Sequence, residues 1–303
     1  MTTNIKTRRR GGFTLVELLV VIAIIAVLAA LSGAGIYLWV GSRYQHNTEE
    51  TIKTVFKLLQ TRQKAVIDSA KTEVDIPPAV VALAGGDMAR ARVIWIKVRL
   101  AEAFPQSYAE VNTTPSIVSR YIPAGRSKSH WAKYQATIGA TPGGPGQSSA
   151  CLLMALKTLG SDGGVAVQDQ LAFAVNDSDG DGVPELVDAW GKPLIFFRFP
   201  PVSPALQAAN PAASGSVAFK HSDPTDPTGL LLNGVPGAGP GWYNTLSGFP
   251  PPVNTLGKKF EAEFHVIRRD PVNAAYVTPV VQSLGKDGVP SADDIFSFNL
   301  KLE

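Results

Sequence analysis

Three aspartates at alternating positions, Asp177, Asp179 and Asp181, run directly into Gly182. Alternation brings three carboxylates to one side of a tight loop, where their repulsion is costly unless a cation is present. Counted from Asp177, Asp188 holds the twelfth position, which is the spacing of an EF-hand-type calcium loop. Pro184 at the eighth position, and Asp in place of Glu at the twelfth, depart from that pattern. The plain alternative is a solvated acidic turn. A second acidic cluster lies near the C-terminus, where Ser283 to Ile295 holds Asp287, Asp293 and Asp294 among glycines. A turn rich in Gly and Asp can aim carbonyls and carboxylates at one point, and such hard oxygens suit calcium. Here the plain alternative is a polar β-turn whose aspartates cap backbone donors.

The third chemically pointed residue is Glu17, which opens an apolar run from Leu18 to Val40. A helix of that length rises roughly 35 Å, enough to cross a hydrocarbon core of about 30 Å. A lone carboxylate there is expensive and implies a function and a partner. Lys6, Arg8, Arg9 and Arg10 lie ahead of the run, which keeps that side in the cytoplasm. The small pair Gly11-Gly12 precedes the apolar stretch, whereas a secretory signal peptide places its cleavage site after it. Cutting at Gly12 would remove a basic leader and leave the apolar helix attached.

Enzymatic chemistry finds little footing. His46, His130, His221 and His265 lack metal-ligand spacing, and Cys151 starts an apolar helical run that reads as core. No Gly-x-Ser-x-Gly elbow occurs. Gly146-Gln147-Ser148-Ser149 lacks the Gly-Lys-Ser/Thr of a phosphate loop, so Ser148 or Ser149 is expected to cap a helix instead. One cysteine excludes an internal disulfide and a cysteine zinc cluster. The formal charge is +3, from 28 Lys+Arg and 25 Asp+Glu. Four of the cations and no acid precede Phe13, so removing them leaves 24 against 25, a net of −1. The basic balance thus belongs to the leader, and no nucleic-acid surface is expected.

The string Gly11-Gly12-Phe13-Thr14-Leu15-Val16-Glu17-Leu18-Leu19-Val20-Val21-Ile22 resembles the class III signal of type IV prepilins and type II secretion pseudopilins. The resemblance implies cleavage after Gly12, N-methylation of Phe13 by a prepilin peptidase, and a role for Glu17 in filament assembly. The physics agrees: an ammonium at Phe13 in apolar surroundings needs a carboxylate from a neighbouring subunit. The stretch around Asp287 resembles the C-terminal calcium loop of the major pseudopilin of type II secretion. That implies side-chain ligands at Asp287, Asp293 and Asp294 and backbone oxygens at Leu284 and Val289, on a spacer shorter than that family's. Asp188-Ala189-Trp190-Gly191-Lys192-Pro193 resembles the same family's Asp-x-Trp-Gly-x-Pro turn, which leads into the sheet.

These sites need elements to hold them. Tyr37 to about Lys71 continues the helix with Val55, Leu58, Leu59, Arg62, Val66 and Ile67 near one stripe, and Pro77-Pro78 is expected to end it. Helices are expected from Asp87 to about Phe104 and from Ser148 to about Leu159. Leu194–Phe199, Ala262–Ile267, Tyr276–Gln282 and Ile295–Leu300 read as strands. Pro200 to Pro252 is a Pro/Gly-rich segment too long for a simple connection. The expectation is an α+β, pilin-like fold: a transmembrane-then-amphipathic helix packed on a C-terminal antiparallel sheet, with extra helices and loop-rich insertions. Its parts are a cytoplasmic leader (1–12), a transmembrane and filament-core helix (13–40) and a periplasmic or extracellular head (41–303).

The functional expectation is a structural subunit of a type II secretion pseudopilus. Its partners are the prepilin peptidase, related pilin subunits, the secretion assembly platform and the inner membrane. A type IV pilus subunit for adhesion or DNA uptake is the alternative, with a membrane-tethered hydrolase behind it.

Overall fold

A computed structural model describes residues 15–112, 116–160, 165–198, 225, 279–291, 293–297 and 300. The chain divides into two compact units, Met1–His46 and Asn47–Glu303. Helix α1 (Leu15–Thr72) begins in the first and ends in the second.

In the first unit Leu15, Val16, Leu18, Leu19, Ile22, Ile25 and Leu28 are all exposed, and Glu17 sits in the first turn of α1. A carboxylate there complements the positive end of the helix dipole. Gly11, Gly12 and Phe13 lie outside the described residues. Among the described residues no helix is long and apolar enough to cross a membrane.

In the second unit the expected stripe of α1 does face a core. Val55 and Leu59 are buried, with Leu58, Val66 and Ile67 packed at its edge, and Ile52 and Phe56 extend the buried face. The prolines do not end this helix, which stops at Thr72. Pro77 and Pro78 instead open α2 (Pro78–Leu83), where a missing N–H costs nothing because the first-turn donors are unpaired anyway. Asp87 caps α3 (Met88–Ala103), its Oδ1 accepting from Ala89 N at 2.9 Å and Arg90 N at 3.2 Å. Buried residues run round all sides of α3 from Val93 to Ala103, as in a helix enclosed by its neighbours. Short helices follow: α4 (Tyr108–Asn112), α5 (Ile117–Tyr121) and α6 (Ser129–Ile138). Then come α7 (Gln147–Thr158), α8 (Val165–Leu171) and a 3-10 turn at Ala172–Ala174.

Two small antiparallel sheets complete a mixed α+β head. Strands β1 (Val175–Asn176) and β2 (Glu185–Leu186) form a pair, and β3 (Ile195–Phe197), β4 (Val280–Ser283) and β5 (Ile295–Phe296) lie in that order. The register sets Phe196 opposite Val281 and Ile295 opposite Ser283. Helix α7 lies against both β2 and β3. β3, β4 and β5 fall where strands are expected at Leu194–Phe199, Tyr276–Gln282 and Ile295–Leu300, and residues 199, 298 and 299 lie outside the described residues. The expected strand Ala262–Ile267, residues 276–278 and the Pro200–Pro252 segment except Thr225 lie outside the described residues.

Inside this head a charged cluster joins the end of α1 to α3 and α6. Arg99 bonds Glu73 Oε2 at 3.0 Å and Glu102 Oε2 at 2.6 Å, and its guanidinium lies 4.4 Å from the Trp95 ring. Lys128 reaches Glu73 Oε1 at 2.9 Å, while its backbone N–H donates to Glu102 Oε1 at 2.7 Å. Burial raises the Glu73 carboxyl, but Lys128 and Arg99 outweigh it and hold it below its ordinary value. For Glu102 burial wins, and its carboxyl is pushed up despite Arg99. Such a cluster orders its elements more than it adds net stability, since desolvation offsets the attraction.

His130 lies at its rim, hydrogen-bonded to the Glu102 backbone, and its pKa falls to about 4 through burial and the charges of Arg99, Lys128 and Lys133. The unfolded chain therefore takes up this proton near pH 6.5, before the native state does. Its contribution to stability is present above that pH and is lost as pH falls toward 4, with a slope of at most about 1.4 kcal/mol per unit. His130→Asn keeps an N–H for the Glu102 carbonyl and removes the titration. Denaturant melts between pH 7 and pH 4 should show a shallower loss for this variant than for the parent protein.

Candidate metal centre

The β1–β2 turn is built by its own carboxylates. Asp177 Oδ1 accepts from Gly180 N at 2.8 Å and its Oδ2 from Gly182 N at 3.1 Å. Asp179 Oδ1 and Asp181 Oδ1 accept from Asp181 N and Val183 N, at 3.2 and 2.7 Å. Gly180 and Gly182 have φ of 75° and 86°, which side-chain-bearing residues rarely adopt, so the turn depends on glycine there. The outcome is that Asp177, Asp179, Asp181 and Glu185 each bring a carboxylate oxygen within 4.8 Å of the others.

Glu185 was not among the residues expected from the sequence, although it holds the ninth position counted from Asp177 and could have been found by that count. It is 0 % exposed on β2. Its Oε2 accepts from Ser178 N at 2.7 Å, and its Oε1 has no hydrogen-bond partner. Burial pushes its carboxyl above the ordinary value; the Ser178 N–H opposes this, while the charges of Asp179 and Asp177 add to it. Tyr108, on α4, donates its hydroxyl to Asp181 Oδ2 at 3.2 Å.

Asp188 is not in this group. It is 5 % exposed, and its Oδ1 accepts from Trp190 N and Lys192 N, both at 2.9 Å. Its Oδ2 accepts from Ser283 Oγ on β4 at 2.7 Å. The Asp-x-Trp-Gly-x-Pro segment is thus a tight turn closed by its own aspartate, with Asp188 N donating to Lys192 O at 2.8 Å. It leads into β3, as expected, and Ala189 N donates to Thr48 Oγ1 at 3.1 Å.

The C-terminal loop is arranged differently. Asp287 Oδ1 accepts from Val289 N at 3.0 Å, and Asp294 accepts from Ser291 N at 3.1 Å and Gln282 Nε2 at 2.8 Å. Asp293 accepts from Lys286 N at 3.2 Å and from the Ser291 hydroxyl, which holds its carboxyl below the usual range. Among the described residues, these three carboxylates form no converging group like that of the β1–β2 turn. Leu284 is half-buried and Val289 exposed at the turn. In this arrangement the three carboxylates cap local backbone and side-chain donors.

The seam between α7 and the strands corrects another expectation. Helix α7 is capped at Gly146, and Ser148 and Ser149 lie inside it. Ser149 Oγ donates to Leu186 O at 2.6 Å, and Ser148 Oγ accepts from Phe196 N at 3.2 Å. A helix-cap reading from sequence favours serine, but here both hydroxyls serve strand backbone, of β2 and of β3. Cys151 is buried on the same helix, and burial pushes its thiol well up, away from nucleophile chemistry.

Residues 7–33 match the prokaryotic N-terminal methylation motif. This is the signal of type IV prepilins and pseudopilins, so the chain carries a prepilin-type N-terminus. The signal implies processing by a prepilin peptidase, assembly with pilin subunits, and a membrane-anchored or filament location. It points to a structural subunit rather than an enzyme. No curated protein and no solved structure matches the chain.

If Asp188 is a structural acceptor, replacing it by Ala leaves two backbone donors and the Ser283 hydroxyl without their partner. Asp188→Ala should cost about 2–3 kcal/mol of stability. The loss should be the same in millimolar calcium and in chelator, as read by urea unfolding. A loss confined to calcium-containing buffer would instead make Asp188 a ligand.

Proposed function

We propose that this protein is a structural subunit of a type II secretion pseudopilus, assembled through its N-terminal helix. The observation that carries this reading is the methylation motif at residues 7–33, which includes Glu17 in the first turn of α1. Cleavage after Gly12 creates an ammonium at Phe13, and methylation keeps it cationic. In an apolar filament core that charge is tolerable only beside a carboxylate, and Glu17 of a neighbouring subunit supplies it. The pair rewards one axial stagger between subunits.

In this reading residues 13–40 span the inner membrane before assembly, with the leader in the cytoplasm and a pilin-like head in the periplasm. The exposed apolar residues of α1 from Leu15 to Leu28 support it, since water is a poor solvent for such a face. The Trp190 turn favours a pseudopilus over a type IV pilus for adhesion or DNA uptake. A deletion strain separates the two: loss of protein secretion supports the pseudopilus, and loss of surface fibres with secretion intact supports the pilus. Calcium at the Asp287–Asp294 loop belongs to the same reading and rests on resemblance alone. It predicts that Asp287→Ala lowers the calcium-dependent rise in melting temperature, because an ion that binds only the folded state stabilises by mass action. An unchanged rise removes calcium from that loop.

Mass spectrometry of the N-terminal peptide should find Phe13 methylated and residues 1–12 gone. An intact leader, or a cut beyond residue 30, overturns the pilin reading. Glu17→Val should insert into the membrane normally, since a charge leaves the apolar run, yet fail to form filaments. Filaments of normal length and number from this variant would remove Glu17 from assembly.

A further inference from the structure

We propose that the β1–β2 turn is a calcium site closed by Glu185, with Asp177, Asp179 and Asp181 as its other carboxylates and Asp188 outside it. The proposal concerns the head alone and stands whether or not the chain assembles into a filament.

Glu185 is the observation that lifts this cluster above an ordinary acidic turn. Buried charges in proteins are paired or bind metal ions, because an isolated ion loses too much hydration. The other buried carboxylates follow that rule with protein cations or donors. Glu102 has Arg99 at 2.6 Å, and Asp188 has three donors. Glu185 is as buried as Glu102, yet its neighbours are the carboxylates of Asp177 and Asp179, and one of its oxygens has no partner. Among the described residues no lysine or arginine forms an ion pair with it. A cation from solution answers the requirement that the chain leaves unmet.

The surroundings are shaped to hold the carboxylates in place. A Cβ at Gly144 would lie 2.3 Å from Asp179 Oδ2, and one at Gly146 would lie 2.9 Å from Glu185 Oε1. A side chain at Gly146 would run into the buried Glu185, whereas one at Gly144 would have to push the exposed Asp179 carboxylate aside. Tyr108 fixes Asp181 from α4. An ion here joins the β1–β2 turn to β2, whose Leu186 is held by α7, so binding would clamp three elements of the head.

The donor set selects the ion. All four side chains are carboxylates, with no imidazole or thiolate for zinc or copper. Four negative charges on a glycine-containing turn suit calcium, which accepts irregular oxygen geometry. Magnesium demands a near-ideal octahedron and keeps its water.

Terbium is a hard-ion probe for calcium sites, and Tyr108 is placed to sensitise its emission. Full-length protein in detergent should give saturable terbium emission on tyrosine excitation. Calcium should displace it, and magnesium should not at equal concentration. Glu185→Gln and Asp179→Asn should each weaken binding at least about tenfold, since even outer-shell losses cost metal sites 10–100-fold. Asp188→Asn should bind normally. Tyr108→Phe should bind calcium by calorimetry but give weaker emission. Asp179 is exposed, so its variant reports on the site even if Glu185→Gln fails to fold by circular dichroism. Terbium binding unchanged in Asp179→Asn, or lost only in Asp287→Ala, would overturn the proposal.

Discussion

A carboxylate that leaves water must find donors, and Asp188 finds them in two places far apart in the chain. Two are backbone amides of its own turn, and the third is the Ser283 hydroxyl on β4. This one side chain fixes where the chain turns after β2 and where β4 meets it. The three-stranded sheet then has its register, with Phe196 against Val281 and Ser283 against Ile295. Glu185 stands only three residues earlier, so the same constraint holds one wall of the acidic turn. Ser149 secures the other side by donating to Leu186 between them. The chain leaving the acidic turn is thus anchored twice by buried polar bonds, which helps a run of aspartates and glycines keep a fixed shape.

The helical part of the head solves a different problem. Helix α3 is enclosed, yet it carries Lys97, Arg99 and Glu102 into the interior. Arg99 is accommodated by Glu73 and Glu102, with Trp95 beneath its guanidinium. A second ion pair, Arg198 with Glu110 at 2.9 Å, ties the end of β3 to α4. Both pairs link segments distant in sequence, so they specify which helix meets which as much as they stabilise the result. His130 is the cost of this design, a neutral imidazole kept so by burial first and by the cations around it second.

The N-terminal chemistry is local and needs no tertiary structure. Basic residues, a Gly pair, Phe13 and Glu17 stand in one register over a dozen positions, and residues 7–33 match the methylation motif. An enzyme that reads a peptide in the membrane reads sequence directly.

The sequence by itself determined the prepilin-type start, the amphipathic half of α1, helix α3, the body of α7 and the turn at Trp190. Each rests on residues close along the chain: a basic run before an apolar one, a 3.6-residue stripe, a glycine in a tight turn. What the folded head decided was partnership. The short helices between Pro78 and Ile138 bury faces too brief to show periodicity. Pro77 and Pro78 open a helix rather than close one, because the core holds α2 directly behind them. Ser148 and Ser149 are polar hooks inside α7, because strands arrive with backbone groups to be paired. Asp188 and Glu185 are three residues apart and equally acidic, and counting along a calcium loop pointed to Asp188 rather than to Glu185. Burial beside β4 turned one toward Ser283 and the other toward three aspartates, and only the three-dimensional chain brings those partners together.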